Sequence, residues 1–308
     1  MIYTVTGPIR KEELGVTLSH EHIAWDSQAD ESLYFDRIYN EGKINHLYGK
    51  LLPVFQKLYQ EGCRAVVEAS TPDGEQNLKL MQRLSKASGV RIIPNTGLVF
   101  SKNVYRIHRE NYEKELAARW IEDFQSGLDT IDSVVIKPSH IKIFVSRGRL
   151  PEVERKILGA AITASKTVGI PVHCHIVEAL TANEVFDFLE SIKCDFSRFL
   201  WAHASEEADE ETITRAVDIG MWLGFDAIRT DNHAKYCDLI KKAVKKGYYN
   251  RILLSQDYDF HEEIINKGNA HPCASIFTDF IPYCEEKGLS RDSVLNMMTG
   301  NPAEFYNI

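Results

Sequence analysis

The sequence predicts an α/β fold of the (β/α)8 TIM barrel class, formed by residues 1–308 as a single domain. Eight short apolar segments follow one another along the chain, and a stretch with helical patterning comes after each of them. Strands that are apolar on both faces and alternate with helices indicate a parallel sheet covered by helices. Eight such units suit a closed barrel better than an open sheet. A doubly wound sheet is the alternative, but it is expected to place a glycine-rich turn after its first strand, where this chain has HEHIAWD.

The chain is predicted to begin with a hairpin over residues 1–15 that turns at Gly7-Pro8. The first barrel strand follows at residues 16–22. A polar and aromatic segment, 23–44, then exceeds the usual length of a connection, which indicates a functional loop. A helix is predicted next, over residues 46–60.

The other seven strands are marked by apolar runs that open after a turn or a glycine and close on a polar residue. We predict them at residues 64–69, 91–97, 141–145, 172–175, 199–203, 220–226 and 252–257. A second long loop is predicted at residues 98–109. Pro151 suits the first turn of the helix that follows the fourth strand.

The composition of the chain limits the kinds of molecule that it is expected to bind. The formal net charge is −8 and no basic stripe is present, so nucleic-acid binding is not expected. No apolar run has the length of a membrane span or of a signal peptide. The six cysteines are scattered without a CxxC pair, which predicts reduced thiols in a cytoplasmic protein. We therefore expect a small-molecule substrate and no membrane partner, with a homodimer left open.

Residues able to bind a metal stand where predicted strands end. His20 and His22 alternate along the first strand and so share one of its faces, while Glu21 points away. An HxH pair alone is more often two ordinary histidines. The ends of the later strands, however, add Lys142, His175, His203 and Asp257. The carboxyl ends of barrel strands meet at one rim, so four histidines, a carboxylate and a lysine predict a site for two divalent ions. Zinc is favoured, with manganese, cobalt or iron as alternatives.

Lys142 is the unusual member of this set because an ammonium group cannot bind a cation. An apolar strand around it, with Ile141, Ile143 and Phe144, lowers the pKa of its amine. The neutral amine can add carbon dioxide and become a carbamate whose two oxygens bridge two metals. Considered alone, Lys142 would more simply reach solvent or pair with Asp257.

Several segments carry a resemblance to a known family. They are TLSHEHI, HIKIFVS followed by PEVERK, PVHCH, LWAH, ILLSQD and the late GNPAEFY. Together they resemble the phosphotriesterase family of the amidohydrolase superfamily over nearly the whole chain. The resemblance implies a barrel with two metals bridged by carboxylated Lys142 and a hydroxide. It implies one metal on His20, His22 and Asp257, and the other on His175 and His203.

Within that family the sequence favours a lactonase. Phosphotriester hydrolases resemble one another in having a histidine directly after the aspartate of the seventh strand, whereas this chain has Asp226-Ala227-Ile228-Arg229. The acidic residue after the sixth strand remains, as Glu206. An arginine near position 229 is typical of the family's lactonases. We therefore predict opening of a sugar lactone, with or without a phosphate, by the bridging hydroxide.

The predicted roles follow from this chemistry. Lys142 and Asp257 are expected to be catalytic, the aspartate by carrying a proton from the hydroxide to the leaving group. Arg229, Tyr105 and Lys267 are expected to bind the substrate from loops. His173, one layer below His175, is expected to be a hydrogen-bonded core residue rather than a ligand.

Three alternatives stay open at the level of sequence. The first is a phosphotriester, organophosphate or carboxylic ester hydrolase. The second is a metal-dependent deoxyribonuclease of a related barrel, which is expected to use a glutamate on the fourth strand and a basic rim. The third is a non-catalytic metal-binding protein, which would need an incomplete ligand set.

Overall fold

The structure is a computed structural model that describes residues 1–24, 39–74, 76–99, 111–268 and 271–308. Its strands in chain order are β1 (Ile2–Thr4), β2 (Gly7–Ile9), β3 (Thr17–His22), β4 (Ala65–Glu68), β5 (Arg91–Ile93), β6 (Thr96–Leu98), β7 (Asp129–Ile131), β8 (Val134–Ile136), β9 (Ile141–Phe144), β10 (Val172–His175), β11 (Phe199–Ala202), β12 (Trp222–Phe225), β13 (Ile252–Leu254) and β14 (Tyr258–Asp259).

The α-helices alternate with these strands and cover the sheet. They are α1 (Glu41–Gln60), α2 (Leu78–Ser88), α3 (Tyr112–Gln125), α4 (Glu152–Val168), α5 (Ala179–Ser191), α6 (Glu210–Asp218), α7 (His233–Lys246), α8 (Ile281–Glu286), α9 (Arg291–Asn296) and α10 (Gly300–Phe305). Short π-helices occur at His261–Asn266 and Ile276–Phe280. Among the described residues, no helix is both long and apolar enough to cross a membrane.

The parallel strands form a closed ring of eight positions, as predicted. One run of paired strands has the order β13-β12-β11-β10-β9-β6, and the other has the order β14-β3-β4-β5. The third and eighth positions each contain two short strands, so β5 pairs with β4 while β6 pairs with β9. In the same way β13 pairs with β12 while β14 pairs with β3, which closes the ring. The predicted (β/α)8 barrel is confirmed.

Side chains alternate between the barrel interior and the helix layer. Ala65 and Val67 of β4 pack inside with Leu200 of β11, whereas Val66 packs in the outer cluster against the helices. Tyr306, directly after α10, belongs to the inner cluster and is fully buried. The interior is therefore a filled core rather than a channel, as the period of two along each strand dictates.

Two glycines make room for close contacts at the rim. Gly97 of β6 lies opposite Lys142 of β9, with φ at +137°, and a β-carbon there would overlap the carbonyl oxygen of Lys142. Gly224 of β12 stands beside Asp226, whose carboxylate oxygen would lie 2.6 Å from a β-carbon at position 224. Any larger residue at either position would displace a group of the site described below.

Three local expectations need correction. The leading hairpin turns at residues 5–6 and not at Gly7-Pro8, because both of these residues pair in β2. Helix α1 begins at Glu41, five positions before the predicted start, because the side chain of Asn40 caps it by accepting from the amide of Lys43. The β7–β8 hairpin was not predicted. Its turn is made by Asp132 and Ser133, which both have positive φ.

Candidate active site

The six predicted metal ligands meet at the carboxyl end of the barrel. His20 and His22 lie on β3, and Lys142 lies on β9. His175 ends β10, and His203 follows β11 directly. Asp257 lies in the interruption between β13 and β14. His20, Lys142 and His203 are buried, while the other three are partly exposed.

Short distances join the ligands of the first and last strands. Oδ1 of Asp257 lies 3.5 Å from Nε2 of His20 and 3.4 Å from Nε2 of His22. Potential coordinating atoms of these three residues all lie within 4.8 Å of one another. Nζ of Lys142 lies 3.2 Å from the same Nε2 of His20. The side chains therefore surround one point from three strand positions.

The remaining two histidines complete the rim. The rings of His175 and His203 have centroids 4.4 Å apart, and the His203 ring lies 4.8 Å from that of His20. His175 is stacked on Phe144 at 4.5 Å, which fixes the plane of its ring. The pair formed by His175 and His203 thus lies next to the group of His20, His22 and Asp257.

Asp226 orients two of these histidines, a role that the sequence analysis missed. Its Oδ2 lies 3.1 Å from Nδ1 of His20, and its Oδ1 lies 2.9 Å from Nδ1 of His203. The amide of His203 also donates to this buried carboxylate. A histidine that donates through Nδ1 presents a lone pair on Nε2 to a metal. The available signal was an aspartate directly after β12, at the same rim as the ligands.

Ser70 and His173 form hydrogen bonds with the side chains of His22 and His20, respectively. Oγ of Ser70 lies 3.0 Å from Nδ1 of His22, which again turns Nε2 towards Asp257. His173 is fully buried, with Nε2 at 3.1 Å from Nδ1 of His20 and Nδ1 at 3.4 Å from the hydroxyl of Tyr306. The prediction of a hydrogen-bonded core histidine is confirmed by these contacts.

Two site residues adopt a backbone conformation that side chains rarely tolerate. His203 has φ at 65° and Asp257 has φ at 49°, both in the left-handed region. A non-glycine residue there costs about 1–3 kcal/mol and persists only where its surroundings determine it. Both residues occur where a strand ends, so the conformation turns their side chains into the rim.

Burial sets the protonation states of the site. It lowers the pKa of Lys142 to about 8 and lowers the pKa of His20 and of His175 well below the usual value. Burial alone would raise the pKa of Asp257, but His20, His22 and His203 hold it well below its usual range. Burial lowers the pKa of His203, but the charge and hydrogen bond of Asp226 outweigh this and raise it above its usual value. Imidazoles bind cations in their neutral form and carboxylates in their ionised form, and this donor set fits a divalent metal.

Lys142 is a buried cation without a matching anion. Its side chain is 2% exposed, and the described part of the chain offers it no ion pair within 4.0 Å. Its recorded hydrogen-bond partner is an imidazole nitrogen of His20. An unpaired ammonium in such surroundings is costly, which is the physical reason for the lowered pKa of this amine.

A cavity of about 470 Å³ opens beside Asp257. Arg229 and Asp257 line it, as do Asp231, Asp259 and Glu263. Nη2 of Arg229 donates to the backbone carbonyl of Asp257 over 2.9 Å. Nη1 of the same guanidinium is buried and has no hydrogen-bond partner among the described residues. Arg229 thus lines the cavity and contacts the backbone of Asp257, and one nitrogen of its guanidinium is left without a partner in the described part of the chain.

Of the other two predicted substrate residues, Lys267 is described and does not line this cavity. Lys267 is exposed and forms ion pairs with Glu262 and Glu263, at 3.6 and 2.8 Å. Tyr105 lies outside the described residues. Glu206 accepts a hydrogen bond of 2.8 Å from the hydroxyl of Tyr236.

Comparison with known proteins finds relatives that match nearly the whole chain. The chain is 23% identical to the phosphotriesterase homology protein of Escherichia coli, covering 95% of this chain and 98% of that protein. It is 22% identical to the aryldialkylphosphatase of Saccharolobus solfataricus, covering 97% of each chain. It is also 23% identical to the N-acetyltaurine hydrolase of Xenopus tropicalis, covering 99% of this chain and 97% of that one.

Solved structures give the same result for the fold. A mutant of the PTE-like lactonase of Deinococcus radiodurans matches with a TM-score of 0.82 at 22% identity, covering 100% of both chains. The family model described as the phosphotriesterase family matches residues 1–306. The chain therefore belongs to the phosphotriesterase family, whose members are metal-dependent hydrolases with a binuclear divalent metal centre.

Proposed function

We propose that this chain is a lactonase whose two metal ions are held by the six rim residues. His20, His22 and Asp257 hold one ion, His175 and His203 hold the other, and Lys142 lies between them. Support comes from the shared point towards which Nε2 of His20, Nε2 of His22 and Oδ1 of Asp257 are directed. We favour zinc because imidazole and carboxylate ligands suit it, with manganese, cobalt or iron as alternatives.

Lys142 carries a carbamate in this proposal. The lone pair on Nζ adds to the carbon of carbon dioxide, one proton is released, and the side chain becomes an anion with two oxygen atoms. The pKa of about 8 makes the neutral amine accessible near physiological pH. The change also replaces a buried unpaired cation by an anion, which two metal ions can neutralise.

The chemistry needs a nucleophile and a proton carrier. When bound, two divalent ions lower the pKa of a water molecule and polarise the carbonyl oxygen of an ester. Asp257 is ionised at neutral pH and accepts the proton of the attacking water on its carboxylate. The protonated carboxyl group then returns this proton to the more strongly basic alkoxide that leaves. Arg229, in the wall of the cavity beside Asp257, binds an oxygen atom of the substrate.

A lactone fits this proton cycle better than a phosphotriester does. The alkoxide of an opened lactone stays attached to the product, beside Asp257, and needs a proton. An aryl phosphotriester releases a stable phenolate, so the proton must leave Asp257 by another route. The relay histidine typical of phosphotriester hydrolases is replaced by Ala227. Both oxygens of Asp226 are engaged by His20 and His203.

The cavity beside Asp257 is the observation that carries the proposal. Its described wall contains the Arg229 guanidinium, three further carboxylates and the side chains of Thr230 and Ser275. Hydrogen-bonding groups of this kind suit a furanose-type sugar lactone with its hydroxyl groups. Ile228, Tyr258 and Pro272 add apolar surface to the same wall, against which the ring carbons of a lactone can pack.

Other hydrolytic reactions need to be tested beside lactone opening. The names of the relatives include a phosphotriester hydrolase and an amide hydrolase, so both bond types need a test. The deoxyribonuclease alternative has less support, because the fourth barrel strand carries Lys142 and not a glutamate. The net charge of −8 also disfavours a polyanionic substrate.

The decisive experiment compares kcat/KM across substrate classes with metal-loaded protein. The panel contains furanose sugar lactones with and without a phosphate, a simple aryl ester, N-acetyltaurine and paraoxon. We expect the best lactone to exceed paraoxon by at least about a hundredfold, the scale of effective acid–base assistance. Asp257→Asn, with its metal content measured, should abolish lactone opening. Rates on paraoxon or N-acetyltaurine that equal or exceed those on every lactone would contradict the proposal.

A further inference from the structure

Glu21 separates the two histidines of the HxH pair but does not face the metal site. It is fully buried, and its carboxylate reaches across to the interrupted eighth strand position. Oε1 accepts hydrogen bonds from Oγ of Ser255 at 2.6 Å and from the amide of Gln256 at 3.0 Å. Oε2 accepts from the amide of Tyr258 at 2.6 Å. The three donors lie on both sides of Asp257 in the chain.

Asp257 needs such support because of its backbone. Its left-handed φ of 49° is uncommon for a residue other than glycine and persists where the surroundings determine it. The interruption of the strand between β13 and β14 also removes the regular ladder around it. The amide of Asp257 donates to the carbonyl of His20 at 3.1 Å, and its own carbonyl accepts from Nη2 of Arg229 at 2.9 Å. The groups bound to Glu21 add restraint on both sides of Asp257 in the chain.

We propose that Glu21 is a positioning residue that holds Asp257 in its metal-binding conformation. The inference rests on the role of Asp257 as a ligand, proposed above. Glu21 acts through the backbone of residues 255–258, so it affects the ion on His20, His22 and Asp257. The ion on His175 and His203 is outside its reach.

The contacts call for a carboxyl group whose two oxygens accept hydrogen bonds; burial raises its pKa to about 8, and the three donors oppose that rise. Two of the three partners are backbone amides, which can only donate. Oγ of Ser255 accepts a hydrogen bond from the amide of His20 at 2.9 Å, so its own proton is directed at Glu21. All three partners are therefore donors. A glutamine would turn its amide group towards at least one of them, and an aspartate would be one methylene too short.

The test uses Glu21→Gln in the metal-loaded protein and measures the release of each ion to a chelator. We expect the affinity for one ion to fall by about 10–100-fold, the usual effect of losing an orienting partner, while the other ion is retained. A crystal structure of the variant should show residue 257 outside the left-handed region. Neither readout depends on enzymatic activity.

Glu154→Gln is the matched control. Glu154 is also buried, and it accepts from Oγ of Ser146 at 2.6 Å and from the amide of Ser146 at 3.1 Å. Its substitution removes a similar buried carboxylate at a place remote from Asp257. This variant should keep both ions with unchanged affinity, even where its thermal stability is lower.

Double substitution separates the positioning role from a structural one. In an Asp257→Asn background, adding Glu21→Gln should weaken metal binding no further, because the two residues act in series. If Glu21→Gln does not fold, Ser255→Ala removes one donor and should shift the same ion by a smaller factor. Loss of both ions to equal extents, or of neither, would overturn the inference. If Asp257→Asn itself binds both ions normally, the ligand role proposed for Asp257 fails, which is a separate result.

Discussion

The two halves of the site are built from different parts of the chain. His175 and His203 lie on β10 and β11, which are neighbours both in sequence and in the barrel. His20, His22 and Asp257 come from the first and last strand positions, whose pairing closes the ring. Hydrogen bonds in this half join residues as much as 237 positions apart, as between Tyr258 and Glu21.

Each half nevertheless uses the same local device. A residue with a left-handed backbone, His203 in one half and Asp257 in the other, follows the end of a strand. In each half a buried carboxylate accepts a hydrogen bond from a nearby backbone amide. Asp226 accepts from the amide of His203, and Glu21 accepts from the amide of Gln256, next to Asp257. The comparison teaches that the ligands are placed by buried acids that themselves bind no substrate. Asp226 also reaches His20, so it links the halves.

Removal of Lys142 should affect both halves and give the largest effect. Lys142→Ala deletes the proposed bridge, so we expect loss of both ions and of activity. Elemental analysis after dialysis measures the ions, and added short carboxylic acids should restore part of the binding by occupying the vacated bridge. Lys142→Ala protein that retains two ions would show that the halves are independent.

Single histidine substitutions should separate the halves. His22→Ala should release the ion held by His20, His22 and Asp257. His175→Ala should release the ion held by His175 and His203. We expect about one equivalent to remain in each variant, and metal-edge spectroscopy with two different metals can tell which site is filled. Identical metal losses in the two variants would mean that the site is a single cooperative unit.

Asp226→Asn should weaken both halves without abolishing either. An asparagine keeps one acceptor oxygen and places an amide donor against the second histidine, so one of the two Nδ1 contacts is lost. We expect affinities to fall by about 10–100-fold, and the fall should be visible for both ions in a chelator titration. An effect confined to the ion on His175 and His203 would remove Asp226 as the link.

Arg229→Ala should have the smallest effect and none on metal content. Loss of a charge-assisted hydrogen bond to the substrate is expected to raise KM by about tenfold, with kcat changed less. Arg64→Ala, before β4 and therefore at the opposite end of the barrel, is the control and should change neither constant. An equal fall in kcat would instead assign Arg229 a role in the transition state.

The fold and the grouping of the predicted ligands at one rim were readable from the sequence because both rest on short-range patterns. Short apolar runs that alternate with helical stretches gave the strands, a polar residue at the end of a run gave His175 and His203, and Lys142 stood out as a charge inside the fourth run. The cap at Asn40 was readable as well, but the start of α1 was placed too late.

The supporting acids could not be predicted in the same way. Glu21 and Asp226 have partners on strands far away in sequence, and no spacing rule connects Glu21 with Ser255. Asp257 lies between β13 and β14, which pair with different neighbours, β12 and β3. This break in the eighth strand position arises only when the ring of strands closes. The predicted role of Tyr105 falls outside the described residues and stays a prediction.

A crystal structure of the metal-loaded protein with anomalous scattering tests the central claim most directly. The account predicts two anomalous peaks, one bound by His20, His22 and Asp257 and one bound by His175 and His203. It also predicts extra density for a carbamate on Lys142, in contact with both peaks. A single peak, or a bare amine on Lys142 between two fully occupied ions, would contradict the account.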